Sequence, residues 1–368
     1  MKKICLSIIS FIFCCSWIFG AFSVSATEFE MTRKIVLEIP KGPDNPRNGE
    51  GDFIRLKDGR IIFVYAQYSG NSWLDHASAN IVQRISSDNG KTWSEPEIVV
   101  QRDEDIQNVM SPSFLRLQDG RIALFYLRKV SSADCRPYVR ISEDETKTWS
   151  EPTCCLTDDV DYYVVNNARI IQLRDGSVLI PAARHHYADG KNDGWSREGF
   201  ILRSTDGCKT FQREEIELIP GGPHFQEPGL VELADGTVFL YYRNSSGAQY
   251  GMKSTDGGKT WGKDVATHFV SPRSPLSIYP IPKTERYLAV WNEDKGARDP
   301  LTLAVLDSEL NFLWKTTLDK SDEKLKRCFC YPAIFSLGNN EFLIAYYVGP
   351  PAYGLEGTRV VKIKLEEK

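Results

Sequence analysis

Short apolar runs alternate with polar turns along most of the chain, and no long stretch carries the three-to-four-residue spacing of an amphipathic helix. One thirteen-residue pattern recurs: FIRLKDGRIIFVY, FLRLQDGRIALFY, IIQLRDGSVLIPA and LVELADGTVFLYY. Two weaker versions follow, IYPIPKTERYLAVW and IFSLGNNEFLIAYY. Runs rich in Val, Ile, Leu, Phe and Tyr on either side of Asp-Gly predict β-hairpins, with turns near residues 58, 119, 175, 235, 284 and 339.

A second repeat lies between these hairpins. SSDNGKTW begins at Ser86 and STDGGKTW at Ser254; SEDETKTW at Ser142 lacks the glycine, and STDGCKTF at Ser204 lacks glycine and tryptophan. DSELNFLW, from Asp307 to Trp314, reads as an eroded fifth copy. The Ser and Asp side chains are expected to bond backbone amides of a tight turn, and the aromatic to fill the gap between neighbouring sheets. Units of 50 to 60 residues holding four strands each are the signature of propeller blades, so the expected fold is all-β, a six-bladed β-propeller of four-stranded antiparallel blades. A β-solenoid would repeat at a shorter period.

Both turns join an inward strand to an outward one, which places them on one face of the disc. The opposite face then carries the starts of the first strands and the loops after the second. Counting eight residues back from each Asp-Gly turn reaches Glu50, Ser111, Asn167, Glu227, a position near Leu276, and Tyr331. The same face should receive Asp75 and His76 from a loop, Arg128 and Arg243 from strand ends, and Arg136, Arg184, His185, His186, Gln249 and Arg298 just beyond such ends. Acids and arginines around one channel suit recognition of an anionic sugar and acid–base work.

Residues 1–26 read as a secretory signal: Lys2 and Lys3, an apolar run from Ile4 to Phe22, and the small triplet Val24-Ser25-Ala26. The expected location is secreted or periplasmic, with residues 27–368 forming one propeller domain and no membrane span. Cleavage removes two lysines and no acid, moving the net charge from −4 to −6, which argues against nucleic acid as a partner. The six remaining cysteines, at 135, 154, 155, 208, 328 and 330, leave disulfide pairing open. Metal-spaced clusters, a phosphate loop and a dinucleotide fingerprint are not found, so no metal or cofactor is expected and side chains must carry the chemistry.

With these turns and site candidates the chain resembles the sialidase (neuraminidase) superfamily, in its branch with BNR or Asp-box repeats, over essentially all of residues 27–368. The resemblance implies an exo-acting, retaining glycoside hydrolase releasing terminal sialic acid or a related sugar from glycans. It implies Asp75 as acid/base, Glu227 as activator of the nucleophile Tyr331, and Arg243 and Arg298 as members of a carboxylate clamp. A tyrosine avoids the repulsion a carboxylate nucleophile would meet at an anomeric carbon bearing a carboxylate. Glu50, Arg136, Asn167, Gln249, His76 and Arg128 complete the expected substrate-binding set, with Arg273 as a further helper.

The pattern departs at one place. Family members open the first blade with an arginine of the clamp, and this chain has Asn48-Gly49-Glu50-Gly51-Asp52 there, with Arg47 in the adjoining loop. Two other readings therefore stay open: a glycosidase for a different sugar using Glu50, or a glycan-binding propeller in which Trp73, Tyr162, Tyr163 and Tyr250 stack on sugars without turnover.

Overall fold

A computed structural model describes residues 28–185, 187–188, 191–192, 197–351 and 354–368. The leader assigned to residues 1–26 and His186 lie outside the described residues. Among the described residues every regular element is a β-strand, and no helix is long and apolar enough to cross a membrane.

The chain opens with β1 (Phe29–Ile39). An eight-stranded sheet follows: β2 (Asn48–Arg55), β3 (Ile61–Tyr68), β4 (Ala79–Ser86), β5 (Glu97–Val100), β6 (Asn108–Arg116), β7 (Ile122–Ser131), β8 (Asp134–Ser142) and β9 (Thr153–Cys154). The next sheet comprises β10 (Tyr163–Val164), β11 (Ile171–Gln172), β12 (Val178–Arg184), β15 (Gly199–Ser204) and β16 (Gln212–Glu215), with a hairpin of β13 (Tyr187–Ala188) and β14 (Lys191–Asn192) inserted. A four-stranded sheet joins β17 (Gln226–Glu232), β18 (Val238–Arg243), β19 (Ala248–Ser254) and β20 (Val265–Val270). Another joins β21 (Ser277–Pro280), β22 (Tyr287–Asn292), β23 (Leu301–Leu306) and β24 (Phe312–Asp319). The last has the order β1-β27-β26-β25, from β25 (Cys328–Gly338), β26 (Glu341–Gly349) and β27 (Gly357–Glu367). The N-terminal strand thus closes the C-terminal sheet, running antiparallel to β27 from Phe29 against Glu367 to Ile39 against Thr358.

The arrangement is propeller-like, with antiparallel sheets, but it corrects the expectation of six separate blades. Four sheets of four or five strands stand alone, and the fifth is an eight-stranded sheet. In that sheet β4 and β6 run parallel and meet at a single pair, Ala79 with Asn108. The physical reason is local: the Asn108 side chain donates to the carbonyls of Asp75 and Ala77, which draws the start of β6 against the end of the β3–β4 loop.

Apolar side chains fill the spaces between sheets, as alternation along the strands requires. Phe53, Phe63 and Tyr65 pack with Leu343, Ala345 and Val360 of the closing sheet, and Phe239 and Tyr241 pack with Trp291 and Leu306. The six cysteines at 135, 154, 155, 208, 328 and 330 are free thiols.

The expected Ser/Asp turns are built as described. Asp88 accepts from the amide of Thr92 at 2.9 Å and from its hydroxyl at 2.7 Å, while the Gly90 amide donates to Ser86 Oγ at 2.8 Å. The same bonds recur at Asp144, Asp206 and Asp256. At the eroded copy the Asn311 side chain takes the place of threonine on Asp307, at 3.1 Å. Trp93 packs 6.2 Å from the Phe53 ring and Trp149 lies 6.4 Å from that of Phe114, between strands of neighbouring units.

These turns predict an acid limb in stability. The hydroxyl and amide of Thr148 pull the Asp144 carboxyl down to about 2, and Asp88 and Asp256 are lowered by the same bonds. A carboxyl lower in the folded than in the unfolded chain, where it sits near ~3.9, stabilises fully above the unfolded value. That contribution is lost as pH falls toward about 2. Thermal melting between neutral pH and pH ~2 should show the loss, and Asp144→Ala should shallow it.

Candidate active site

The inner strands enter the site through a shared irregularity. β6, β17 and β25 each carry a bulge near their start, between Met110 and Ser113, Gln226 and Gly229, and Cys330 and Ala333. The first bulged residue is left-handed in each: Ser111 at φ 53°, Glu227 at 44° and Tyr331 at 56°. Each is followed by proline, at 112, 228 and 332, which donates no hydrogen bond to the ladder and so suits an unpaired position. Left-handed backbone at bulky residues costs energy that the surrounding sheet must hold in place, and such strain gathers at functional sites. The eight-residue count thus found three equivalent positions. It missed by one in two other strands: Ala168 at φ 53°, not Asn167, has the kink, and the bulge of β2 spans Gly49 and Glu50, with Glu50 second.

Glu227 and Tyr331, 104 residues apart, meet in the site: the Tyr331 hydroxyl donates to Glu227 Oε1 at 2.8 Å. Arg243 Nη1 donates to the Tyr331 oxygen at 3.1 Å and is ion-paired with Glu227. The Arg298 guanidinium lies 5.6 Å from the Tyr331 ring centroid, braced by bonds to Cys330 Sγ at 3.3 Å and the Arg273 carbonyl at 3.0 Å. Burial works to raise the Glu227 carboxyl, but Arg243, Arg298 and the tyrosine hydroxyl outweigh it and hold it below the usual range. Burial, then the Glu227 carboxylate, push the Tyr331 phenol well up. The resting pair is therefore a neutral phenol on an ionised carboxylate, set between guanidinium groups.

Arg47 lies beside the Tyr331 pair. It is 1% exposed, with Nε on the Tyr347 hydroxyl at 2.6 Å, Nη1 on Asp75 at 2.5 Å and on the Trp73 carbonyl at 3.3 Å, and Nη2 on Glu50 at 3.2 Å. Its guanidinium also lies over the Tyr68 ring at 4.4 Å. Tyr347 in turn meets Tyr331 edge-on at 5.7 Å, so the two clusters adjoin. An arginine stands just before β2, three residues ahead of Glu50, the position that sequence spacing indicated.

Asp75 sits on an exposed loop whose backbone is pinned: its carbonyl accepts from Lys129 Nζ at 3.0 Å and Asn108 Nδ2 at 2.9 Å. Lys129 is fully buried and also donates to the Tyr162 hydroxyl at 3.1 Å. Partial burial favours a raised Asp75 carboxyl, yet the Arg47 guanidinium wins and holds it below its ordinary value. Glu50 goes the other way: burial raises its carboxyl, Arg47 offsets only part, and Asp75 and Glu227 add to the rise. Loss of solvation lowers the His76 imidazole, with Lys129 adding to the effect.

Other expected site residues have structural partners. Arg128 is paired with Asp103 at 2.8 Å, Arg136 with Asp134 at 2.7 Å and Arg184 with Asp161 at 2.6 Å. Asp134 lies two residues from Arg136 on the same strand, whereas Asp103 and Asp161 reach Arg128 and Arg184 from other segments, which counting along one strand does not reveal. Gln249 is buried and donates to Ser271 Oγ and the Ser274 carbonyl, bracing that loop. Asn167 donates to the Gly51 carbonyl at 2.8 Å, so it ties two inner strands together. His185 stacks near the Tyr162 ring, at 6.5 Å. Tyr347, Lys129 and Cys330 were not foreseen; nothing in their local sequence separates them from core residues. Among the described residues no group of three or more His, Cys, Asp and Glu could hold a metal ion.

Comparison with known proteins places this geometry. A model of the BNR repeat-like domain matches residues 63–344. The chain is 28% identical over 236 residues to a sialidase of Micromonospora viridifaciens, a match covering 58% of this chain and 34% of that protein. The match thus spans about a third of that relative's length. Among solved structures, a protein of unknown function from Dyadobacter fermentans superposes with a TM-score of 0.73 at 18% identity, over 91% of this chain and 99% of that one. The NanB sialidase of Streptococcus pneumoniae gives 0.69 at 13%, covering 89% and 70% of the two chains. The intramolecular trans-sialidase of Ruminococcus gnavus, in complex with oseltamivir carboxylate, gives 0.70 at 14%, covering 88% and 96%. At such identities the structures attest the fold. The chain belongs to the BNR repeat-like family.

Proposed function

We propose that this protein is an exo-acting, retaining glycoside hydrolase that releases terminal sialic acid, or a closely related acidic sugar, from glycans. One observation carries the reading: a tyrosine hydroxyl, held on a left-handed kink, donates to an ionised glutamate among arginines. A carboxylate on the anomeric carbon would repel a carboxylate nucleophile, and a phenol whose proton passes to a neighbouring base avoids that. Tyr331 attacks the anomeric carbon as its proton moves to Glu227. Asp75 protonates the departing glycosidic oxygen, and water then cleaves the tyrosyl intermediate with Asp75 acting as base. Arg243 and Arg298 orient the sugar carboxylate, with Arg47 beside them.

For Asp75 to act as an acid it must carry a proton, which its pairing with Arg47 opposes in the empty site. The negative charge of a carboxylate bound in the site favours the neutral acid and returns Asp75 toward protonation. The eight-stranded sheet is read here as two blades joined by the Ala79–Asn108 bridge, giving six in all. The N-terminal segment is read as an export signal, placing the enzyme outside the cytoplasm.

The test is release of free sialic acid from a fluorogenic α-sialoside by the purified protein. Time-dependent release with retained configuration, seen by proton NMR of the first product, is the expected result. A folded protein that binds sialosides without turnover would replace the hydrolase with a lectin.

A further inference from the structure

The Arg47 cluster and the Tyr331 cluster differ in charge. Arg47 is matched by two carboxylates, Glu50 and Asp75, whereas Glu227 is matched by two guanidinium groups, Arg243 and Arg298. Arg47 has five N–H donors, and its bonds to Tyr347, Asp75, Trp73 and Glu50 occupy four of them. In the half of the site around Arg47 the carboxylates of Glu50 and Asp75 are balanced by Arg47 and Lys129, and the half around Arg243, with two guanidinium groups against one carboxylate, is net basic.

Among the buried polar atoms without a hydrogen-bond partner in the described residues, Arg243 Nε is a donor in the basic half and Glu50 Oε2 an acceptor beside Arg47. Glu50 is 8% exposed, and its other oxygen is already bound to Arg47. A buried acceptor left without a partner is costly, and a ligand that supplies the missing donor gains what the empty site lacks. Glu50 shares Arg47 with Asp75, and the Arg47 partner Tyr347 meets the Tyr331 ring edge-on at 5.7 Å.

We propose that Glu50 is a specificity-determining residue, whose free Oε2 accepts a hydrogen bond from one hydroxyl of the acidic sugar while the sugar's carboxylate lies on the Arg243 and Arg298 side. This rests on the sialidase-type reading and sharpens it. The substrate class is an acidic sugar with a free hydroxyl directed at the first strand, and analogues lacking or alkylating that hydroxyl are rejected. Discrimination by a buried polar group of this kind is strong because the analogue leaves it unpaired.

The experiment compares a fluorogenic α-sialoside with analogues each lacking a single hydroxyl, in the wild type and in Glu50→Gln, which preserves volume. In the wild type one analogue should lose about 10- to 100-fold in kcat/KM. In Glu50→Gln the parent should fall by a similar factor, chiefly through KM, and that analogue should fall little further. Equal penalties in both proteins, with the parent turned over normally, would overturn the role of Glu50 and leave the hydrolase intact. No turnover of the parent by folded wild type would overturn both. If Glu50→Gln does not fold, the wild-type series decides: a series with no sensitive hydroxyl rules the assignment out.

Discussion

Tyr331→Phe should lower kcat for a fluorogenic sialoside by a factor on the order of 10³ or more, with KM within a few-fold of wild type. The substitution removes one oxygen from a fully packed ring and keeps its edge-on contact with Tyr347. The lost oxygen is both donor to Glu227 and acceptor from Arg243, so the remaining Glu227–Arg243 ion pair can close on itself. Binding of the sugar carboxylate by Arg243 and Arg298 therefore survives, which is why the loss belongs in kcat. Steady-state kinetics with wild type and variant side by side provide the check. Equal kcat in the two proteins would exclude Tyr331 as nucleophile.

Arg47→Met should have the largest effect on stability. Removing the guanidinium leaves Glu50 buried without its cation, and breaking one side of a buried ion pair costs about 3 to 5 kcal/mol. Asp75 is exposed and adds little, since water can take over from Arg47 there. The sign of the pH dependence follows from Glu50, whose carboxyl is already raised by burial above its ordinary 4.5 and rises further once Arg47 is gone. An acid with a higher value in the folded chain penalises folding above that folded value. The penalty disappears below the unfolded one, so the variant should approach wild-type stability as pH falls toward about 4.5. Denaturant unfolding at neutral and mildly acid pH measures it, and adding Glu50→Leu should restore much of the loss at neutral pH. A deficit independent of pH would mean that packing against Tyr68 and Tyr347, rather than charge, is what Arg47 supplies.

The hairpins were legible because their signals are local. Asp-Gly between β-rich runs, and a serine and aspartate that bond amides within their own turn, act over a few residues, and the structure reproduces both at the expected places. Counting back from those turns reached Ser111, Glu227 and Tyr331 because an inner strand rises by a constant amount per residue. The count failed where the backbone departs from that regularity. In β2 the bulge lies one residue earlier, and ahead of β11 the kink falls on Ala168, in the turn that precedes the strand.

By itself, then, the sequence determined the repeat, the all-β class, the face on which loops converge, and the order Asp75, Glu227, Arg243, Arg298, Tyr331. The first three rest on short-range turn chemistry or on strand periodicity, and the order rests on the resemblance to sialidases. The tertiary structure alone decided which charges meet. It placed Arg47 on Glu50, Asp75 and Tyr347, joined Tyr331 to Glu227, and directed Arg128, Arg136 and Arg184 to Asp103, Asp134 and Asp161. Where partners come from segments far apart in the chain, as with Tyr331 and Glu227 or Arg47 and Tyr347, a bulge of one residue moves a side chain to a different partner.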